Sequence, residues 1–211
     1  MTIKRGQDWG RPGRAPADLE WFDDDAAVAE AYTRGRREVG VRAGDMARTL
    51  GVDSARDTAV AFPVDLLEVS SSVAGVRHAF AHVIVRSRRG GWWRGPILAV
   101  MNAQYLGRWD VAPRGHPNDG RAESLGVDGS MSFRQRLLAA RRLPTGSHLP
   151  HPEIRVRSVA EETFVVDRRS RLDLDGREWA VDDPIERPEV RVTVRVVPDA
   201  LVVWIAADEV R

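Results

Sequence analysis

Residues Gly90 to Gly120 read GGWWRGPILAVMNAQYLGRWDVAPRGHPNDG. A Gly-Gly turn and the pair Trp92-Trp93 lead into a short apolar run, Ile97 to Met101, which breaks at once into polar, glycine-rich sequence. Pro113, Pro117, Asn118, Asp119 and Gly120 close the segment with turn chemistry. A run of five apolar residues between turns is the length of a buried strand and too short for a helix. One strand feeding a proline-fixed loop places that loop on a rigid element.

The same texture extends outward on both sides. From Phe62 onward the chain is built of short runs rich in Val, Ile and Trp, alternating or fully apolar, with turn residues between them. Strands are predicted at Val64–Val69, His78–Arg86, Pro96–Asn102, Arg155–Val159, Glu162–Val166, Leu172–Leu174, Val190–Val197 and Ala200–Ile205. The last two read as a hairpin joined at Val197-Pro198-Asp199-Ala200, and Asp175-Gly176 reads as another hairpin turn. The fold class expected is mainly β (α+β), an antiparallel β sandwich. One helix interrupts it, capped by Ser132 and stopped by Pro144. Phe133, Leu137, Leu138 and Ala140 form the face expected to dock on the sheet, with Arg134, Arg136, Arg141 and Arg142 interleaved.

Before Phe62 the pattern differs. Residues 1–20 are rich in Gly, Pro and charge and read as an extended arm, held by Trp9 and Trp21. A helix is expected from about Asp23 to Gly35, with Asp24 or Asp25 as N-cap, and a second over Asp45–Leu50, stopped by Gly51. Residues 52–61 read as loop. The composition shift divides the chain into a helical N-terminal arm, 1–61, and a β domain, 62–211.

Bulk properties exclude several classes. The 211 residues are 43% hydrophobic and 30% charged with a net charge of +1, so no field of one sign points to nucleic acid. The absence of cysteine removes disulfides, thiolate metal sites and cysteine nucleophiles. No apolar leader or bilayer-length run occurs, which makes a cytoplasmic protein with at most peripheral membrane contact the expectation. All basic residues but Lys4 are arginine, a bias that argues against reading each one as a phosphate ligand.

Candidate sites are few. His78 and His82 share a strand face without a carboxylate or cysteine spaced to complete a zinc site, which favours ordinary sheet positions. His148 and His151 lie in a proline-stiffened loop that reads as an anion site or, preferably, a solvated loop. The arginine helix could meet a phosphate or anionic head group, although a solvated face is the simpler reading. The Asp119 turn could aim a carboxylate and main-chain carbonyls at Mg²⁺ or Ca²⁺, but by spacing alone Asx bonding explains it. No serine triad, P-loop, dinucleotide fingerprint or HExxH is present.

Six short motifs, in order, resemble the bacterial diacylglycerol kinases (YegS-like lipid kinases). They are Asp45-Met46-Ala47-Arg48-Thr49-Leu50-Gly51; Phe62-Pro63-Val64-Asp65-Leu66; Val100-Met101-Asn102-Ala103-Gln104-Tyr105-Leu106-Gly107 with Val111-Ala112-Pro113; Asn118-Asp119-Gly120; His151-Pro152; and Asp175-Gly176 followed by Val197 to Leu201. The resemblance spans about residues 44–206. It implies a β sandwich that helps receive the lipid, partnered in that family by a domain binding ATP through a G-G-D-G-T loop. It implies Mg²⁺ at Asp119, with the carbonyls of His116 and Arg121 as companions, and raises that possibility above its standing by spacing.

This chain departs from the pattern in two places. It has no G-G-D-G-T, and only Asp45 and Arg48 remain as a nucleotide-binding remnant. The glutamate that follows the Asp-Gly turn in the family is replaced by Arg177, with Glu178 one step later. Asp175 and Glu178 are therefore the catalytic candidates, with Glu178 on the opposite face of the strand unless a bulge intervenes. The first expectation is a lipid-kinase-like protein that binds a lipid, a phospholipid head group or a protein partner without catalysis, its uncovered surfaces favouring a homodimer. The alternative is an ATP-dependent lipid kinase acting through an atypical site or with a complementing chain. A nucleic-acid-binding barrel ranks last.

Overall fold

The computed structural model describes residues 9–52, 57–181 and 189–206. The expected arm at residues 1–8 and the centre of the expected loop at 53–56 lie outside these. The chain enters through β1 (Arg11–Gly13), β2 (Trp21–Phe22), α1 (Asp25–Thr33), β3 (Glu38–Val41) and α2 (Asp45–Thr49). Asp24 is the N-cap of α1, its carboxylate accepting the Ala27 N–H at 2.9 Å. Gly51, at φ 79°, ends the second helical stretch in the left-handed region. β2 and β3 are parallel, so β2–α1–β3 forms a βαβ crossover. Trp21 packs across Gly40, where a Cβ would meet the indole at 2.3 Å.

β4 (Ala59–Ser71) and β15 (Glu189–Ile205) form the spine of a seven-stranded sheet ordered β1-β4-β15-β3-β2. β5 (Gly75–Ala79) pairs with β4, and β12 (Glu161–Asp167) pairs with β15. A six-stranded sheet has the order β11 (Ile154–Val159), β10 (Ala122–Val127), β7 (Ile97–Met101), β6 (His82–Ser87), β13 (Ser170–Leu174) and β14 (Arg177–Glu178). Pairing is antiparallel except where β3 joins β2 and β15. The two sheets face each other across Leu67, Val69, Val83, Val100, Leu172, Val192 and Val194, each side chain contributing about 1.5–3 kcal/mol by burial. Alternation on β15 is clean: Val192, Val194 and Val196 are buried, while Arg191 and Arg195 are exposed. The helices α1 and α2 cover the other side of the β3–β4–β15 region around Val39, Met46, Leu66 and Leu201. The outer face of the six-stranded sheet carries a small hairpin, β8 (Tyr105–Leu106) with β9 (Trp109–Asp110), and α3 (Phe133–Arg142).

The mainly β, sandwich-like architecture stands as expected, with local corrections. The expected boundary at 60–63 falls inside β4, and the segment before it supplies β1, β2 and β3 to the same sheet. The C-terminal hairpin is instead one continuous strand with a bulge: Val197 pairs with Leu66 and Leu201 with Val64. Residues 198–200 bow out opposite Asp65, whose carboxylate receives the Asp199 N–H at 2.8 Å. The single strand expected at His78–Arg86 breaks at Phe80-Ala81 and passes from one sheet to the other, so His78 and His82 share no face.

α3 is also rolled differently from its expected orientation. Phe133 is 57% and Leu138 49% exposed, whereas Arg136 is 4% exposed. The Arg136 guanidinium donates to the carbonyls of Met131, Trp92, Gly95 and Asp128, a set of acceptors that holds an arginine inside without a carboxylate.

Candidate functional site

The β2–α1 turn is the position at which a βαβ unit offers main-chain N–H groups and a helix dipole to a phosphate. Here the turn reads Asp23-Asp24-Asp25. Asp24 occupies the Ala27 donor of its own helix. Asp25 reaches across to α2, where its Oδ2 accepts the Asp45 N–H at 2.6 Å and its Oδ1 accepts the Met46 N–H at 3.2 Å. Gly44 at φ 113° makes room for this, since a Cβ there would meet the Asp25 carboxylate at 2.6 Å. One N–H at the start of α1 and two at the start of α2 are thus engaged by the chain's own carboxylates.

Asp45 extends the network. Its Oδ2 accepts from His82 Nε2 at 3.0 Å and its Oδ1 from the Gly107 N–H at 2.6 Å. Arg48 donates to the Gly107 carbonyl at 2.7 Å and lies over the Tyr105 ring at 4.3 Å. Both members of the expected nucleotide-binding remnant therefore clamp the β8–β9 hairpin to α2. Asp175, half-buried with φ 47°, and Gly176, with φ 79°, make the two positive-φ positions of the β13–β14 turn. The Asp175 carboxylate accepts the N–H groups of Phe80, Ala81 and His82 at 2.7, 2.8 and 2.9 Å, which is what breaks the long strand. A cleft of about 250 Å³ opens here with Asp23, Asp24, Asp25, Asp45, Asp175 and His82 on its wall.

The electrostatics follow from crowding. Burial, reinforced by the Asp175 and Asp45 charges, pushes the Asp25 carboxyl up to about 7. Burial likewise raises Asp175, against the pull of His82 and the three N–H donors. Burial alone would lower His82, but Asp45, Asp175 and Asp25 together raise it. Glu178, the expected base, is turned elsewhere. Its carboxylate meets Arg88 at 2.6 Å and Arg171 at 3.6 Å, while Arg177 pairs with Asp24 and Glu30 at the cleft rim. Asp175 and Glu178 both line a neighbouring cavity of about 430 Å³, with the first bonded to the Phe80–His82 turn and the second to two guanidinium groups.

The Asp119 loop has a different centre from the one expected. Asp65 is 1% exposed and accepts the N–H groups of Gly120 at 2.7 Å and Asp199 at 2.8 Å, with the Asn118 amide at 3.4 Å. Burial pushes its carboxyl up to about 6, against those donors. Asp119 itself closes an Asx turn on the Arg121 N–H at 3.0 Å. His116 bonds the Asn118 N–H through Nδ1 and packs on Trp9, and the Arg121 guanidinium reaches Ser158. Among the described residues no three His, Cys, Asp or Glu side chains gather around a metal-sized point. The loop is closed by hydrogen bonds to the Asp65 and Asp119 carboxylates. A lone aspartate in the apolar run Phe62 to Leu67 was the available sequence signal for Asp65.

A second cavity, of about 110 Å³, lies between α3 and the six-stranded sheet. Trp92, Trp93, Trp109, Leu125 and Ala139 line it, and its walls are apolar apart from His148 and Arg136. His148, far from lying in a solvated loop, is 3% exposed, and neither ring nitrogen has a partner in hydrogen-bonding geometry. Burial holds its pKa below the usual range, although Asp110 and the Val111 main chain are close. With only the Val111 main chain approaching as a bonding partner, this buried ring leaves at least one nitrogen available to a ligand in the cavity.

No family model and no curated protein matches the chain. Two solved structures of proteins provisionally designated diacylglycerol kinases from Bacillus anthracis str. Sterne share its fold. One superposes with TM-score 0.54 at 13% identity over 90% of this chain and 78% of that one. The other gives 0.51 at 14% identity over 90% and 77%. The fold is that of the lipid kinases whose motifs the sequence resembles.

Proposed function

We propose that this protein has the lipid-kinase fold but binds a lipid without phosphorylating it. The observation that carries this reading is that Asp24 and Asp25 take up the Ala27, Asp45 and Met46 N–H groups at the starts of α1 and α2. Phosphoryl transfer from a nucleotide needs donors and cations around the phosphates. In this cleft the Ala27, Asp45 and Met46 N–H groups already bond the chain's own carboxyl oxygens, so a triphosphate brought there loses those anchors and meets acidic side chains instead. Glu178, the candidate base, is tied down in ion pairs with Arg88 and Arg171.

The cavity under α3 supplies the binding half. Its 110 Å³ is close to the size that accepts a benzene-sized group, enough for one short segment of an acyl chain. His148 gives that segment's carbonyl, hydroxyl or carboxylate a hydrogen-bond partner, and the tryptophans exclude water.

The test is extraction of the purified chain with organic solvent and mass spectrometry of what is released. Wild-type protein should release a stoichiometric apolar lipid, and Ala139→Trp, which fills the cavity, should release little while melting at an unchanged or higher temperature. Equal release from both proteins places the lipid elsewhere and overturns the assignment.

A further inference from the structure

We propose that the outer face of α3 docks the protein on the surface of a bilayer containing anionic phospholipid. A helix on the outside of a domain ordinarily turns leucines inward and arginines outward. α3 does the reverse at its middle. Arg136, Ala139, Ala140 and Leu143 face the cavity, while Arg134, Leu138 and Arg141 lie along the opposite line, flanked by Leu137 and Arg142. Leu138 is 49% exposed and Phe133 57%. Phe133 packs on Trp93, itself 39% exposed, with ring centroids 5.5 Å apart, so an aromatic pair stands beside the N-terminal end of the helix.

The charge on this face is of one sign. FRQRLLAARR contains four arginines and no acid. Among the described residues, Arg134, Arg141 and Arg142 have no ion pair, and the nearest acid along the chain, Asp128, is turned to Ser130. Exposed cations with leucine between them and aromatic rings at one end are complementary to a phosphate-rich interface above acyl chains. The guanidinium groups meet phosphates while leucine and the rings enter the acyl boundary. A nucleic acid would use the cations and the rings but would leave Leu138 and Leu137 against water or phosphate, so the bilayer is the better match. The cavity continues from this face, since Trp93 belongs to both the exposed pair and the cavity wall. Only the delivery of lipid into the cavity rests on the function proposed above; docking stands on the face itself.

The experiment is co-sedimentation of the whole chain with phosphatidylcholine vesicles, with and without phosphatidylglycerol, at low and high salt. Binding is expected to the anionic vesicles and to fall at high salt. The combined change Arg134→Gln, Arg141→Gln, Arg142→Gln should weaken it roughly a hundredfold, at about fivefold per arginine. Trp93→Ser with Phe133→Ser should weaken it at constant charge. Melting curves of the arginine variant should match wild type, because those side chains are exposed and without ion pairs. Equal affinity for neutral and anionic vesicles, or for wild type and the arginine variant, overturns the proposal. So does binding of single-stranded RNA with the same arginine dependence and no vesicle binding. Ala139→Trp separates the two readings: it should sediment with vesicles like wild type even as it releases no lipid on extraction. Lipid release from a wild-type protein that ignores vesicles sinks docking and leaves the cavity assignment intact.

Discussion

Asp25 Oδ2 accepts the main-chain N–H of Asp45 at 2.6 Å, so the first residue of α1 caps the first turn of α2. A carboxylate delivered by one helix fills the anion position of another. The position where the βαβ geometry would otherwise receive an anion is therefore already filled by the chain itself.

That contact has a pH signature. Asp25 titrates near 7 in the folded chain, raised by burial first, against about 4 when unfolded. Between those values the folded state keeps a proton that the unfolded state has lost, so stability falls as pH rises from about 4 to about 7. Asp65, pushed up to about 6, acts in the same direction, and the lowered His78, His116 and His148 oppose it near pH 6. Comparison with Asp25→Asn isolates the one group. Urea unfolding across this range should show wild type losing about 2–4 kcal/mol relative to the variant. Parallel profiles would refute the assignment.

Asp65 is expected to be the most sensitive polar position. Asp65→Ala leaves the Gly120 and Asp199 N–H groups and the Asn118 amide without their acceptor, and should cost about 3 kcal/mol or more in urea unfolding. Asp65→Asn retains one acceptor oxygen and should cost less than half of that. Equal losses would mean that the charge, not the hydrogen bonding, holds the loop.

Arg136 should behave as a core residue despite its charge. Arg136→Met strands the carbonyls of Met131, Trp92, Gly95 and Asp128 and should cost about 2–4 kcal/mol, with increased solvent quenching of tryptophan fluorescence. Arg134→Met, on the exposed face, should lie within about 0.5 kcal/mol of wild type. Similar effects at the two sites would mean that α3 is rolled the other way.

The Asp119 turn should not respond to divalent ions. Adding Mg²⁺, or removing it with EDTA, should leave the melting temperature unchanged, because Asp119 closes its turn on Arg121. Asp119→Ala should cost about 1 kcal/mol through loss of that bond. A melting temperature that rises with Mg²⁺ in wild type but not in Asp119→Ala would establish an ion there.

Much of the β framework was legible because local chemistry decided it. Asp175-Gly176 needed two positive-φ residues between alternating strands, and Asp24 and Ser132 stood where helix caps belong. What escaped depended on partners far along the chain. Pro198-Asp199 looks the same in a hairpin as in a bulge until Asp65, on the neighbouring strand, supplies an acceptor for the Asp199 N–H. The spacing of Phe133, Leu137 and Leu138 indicated a docking face, yet four carbonyls drew Arg136 inward and rolled the helix. The acidic cleft was hidden for the same reason: Asp25, Asp45, His82 and Asp175 are brought together by elements from both ends of the chain.

Lipid binding without phosphoryl transfer is tested most directly by recovering the lipid after exposure to both would-be substrates. The purified chain is incubated with diacylglycerol and Mg-ATP, separated from free lipid, extracted and analysed by mass spectrometry beside Ala139→Trp. The expected result is apolar lipid bound to wild type and depleted from the variant, with phosphatidic acid no higher than in a protein-free blank. Phosphatidic acid accumulating with time in the wild-type reaction, or the absence of any bound lipid, would contradict it.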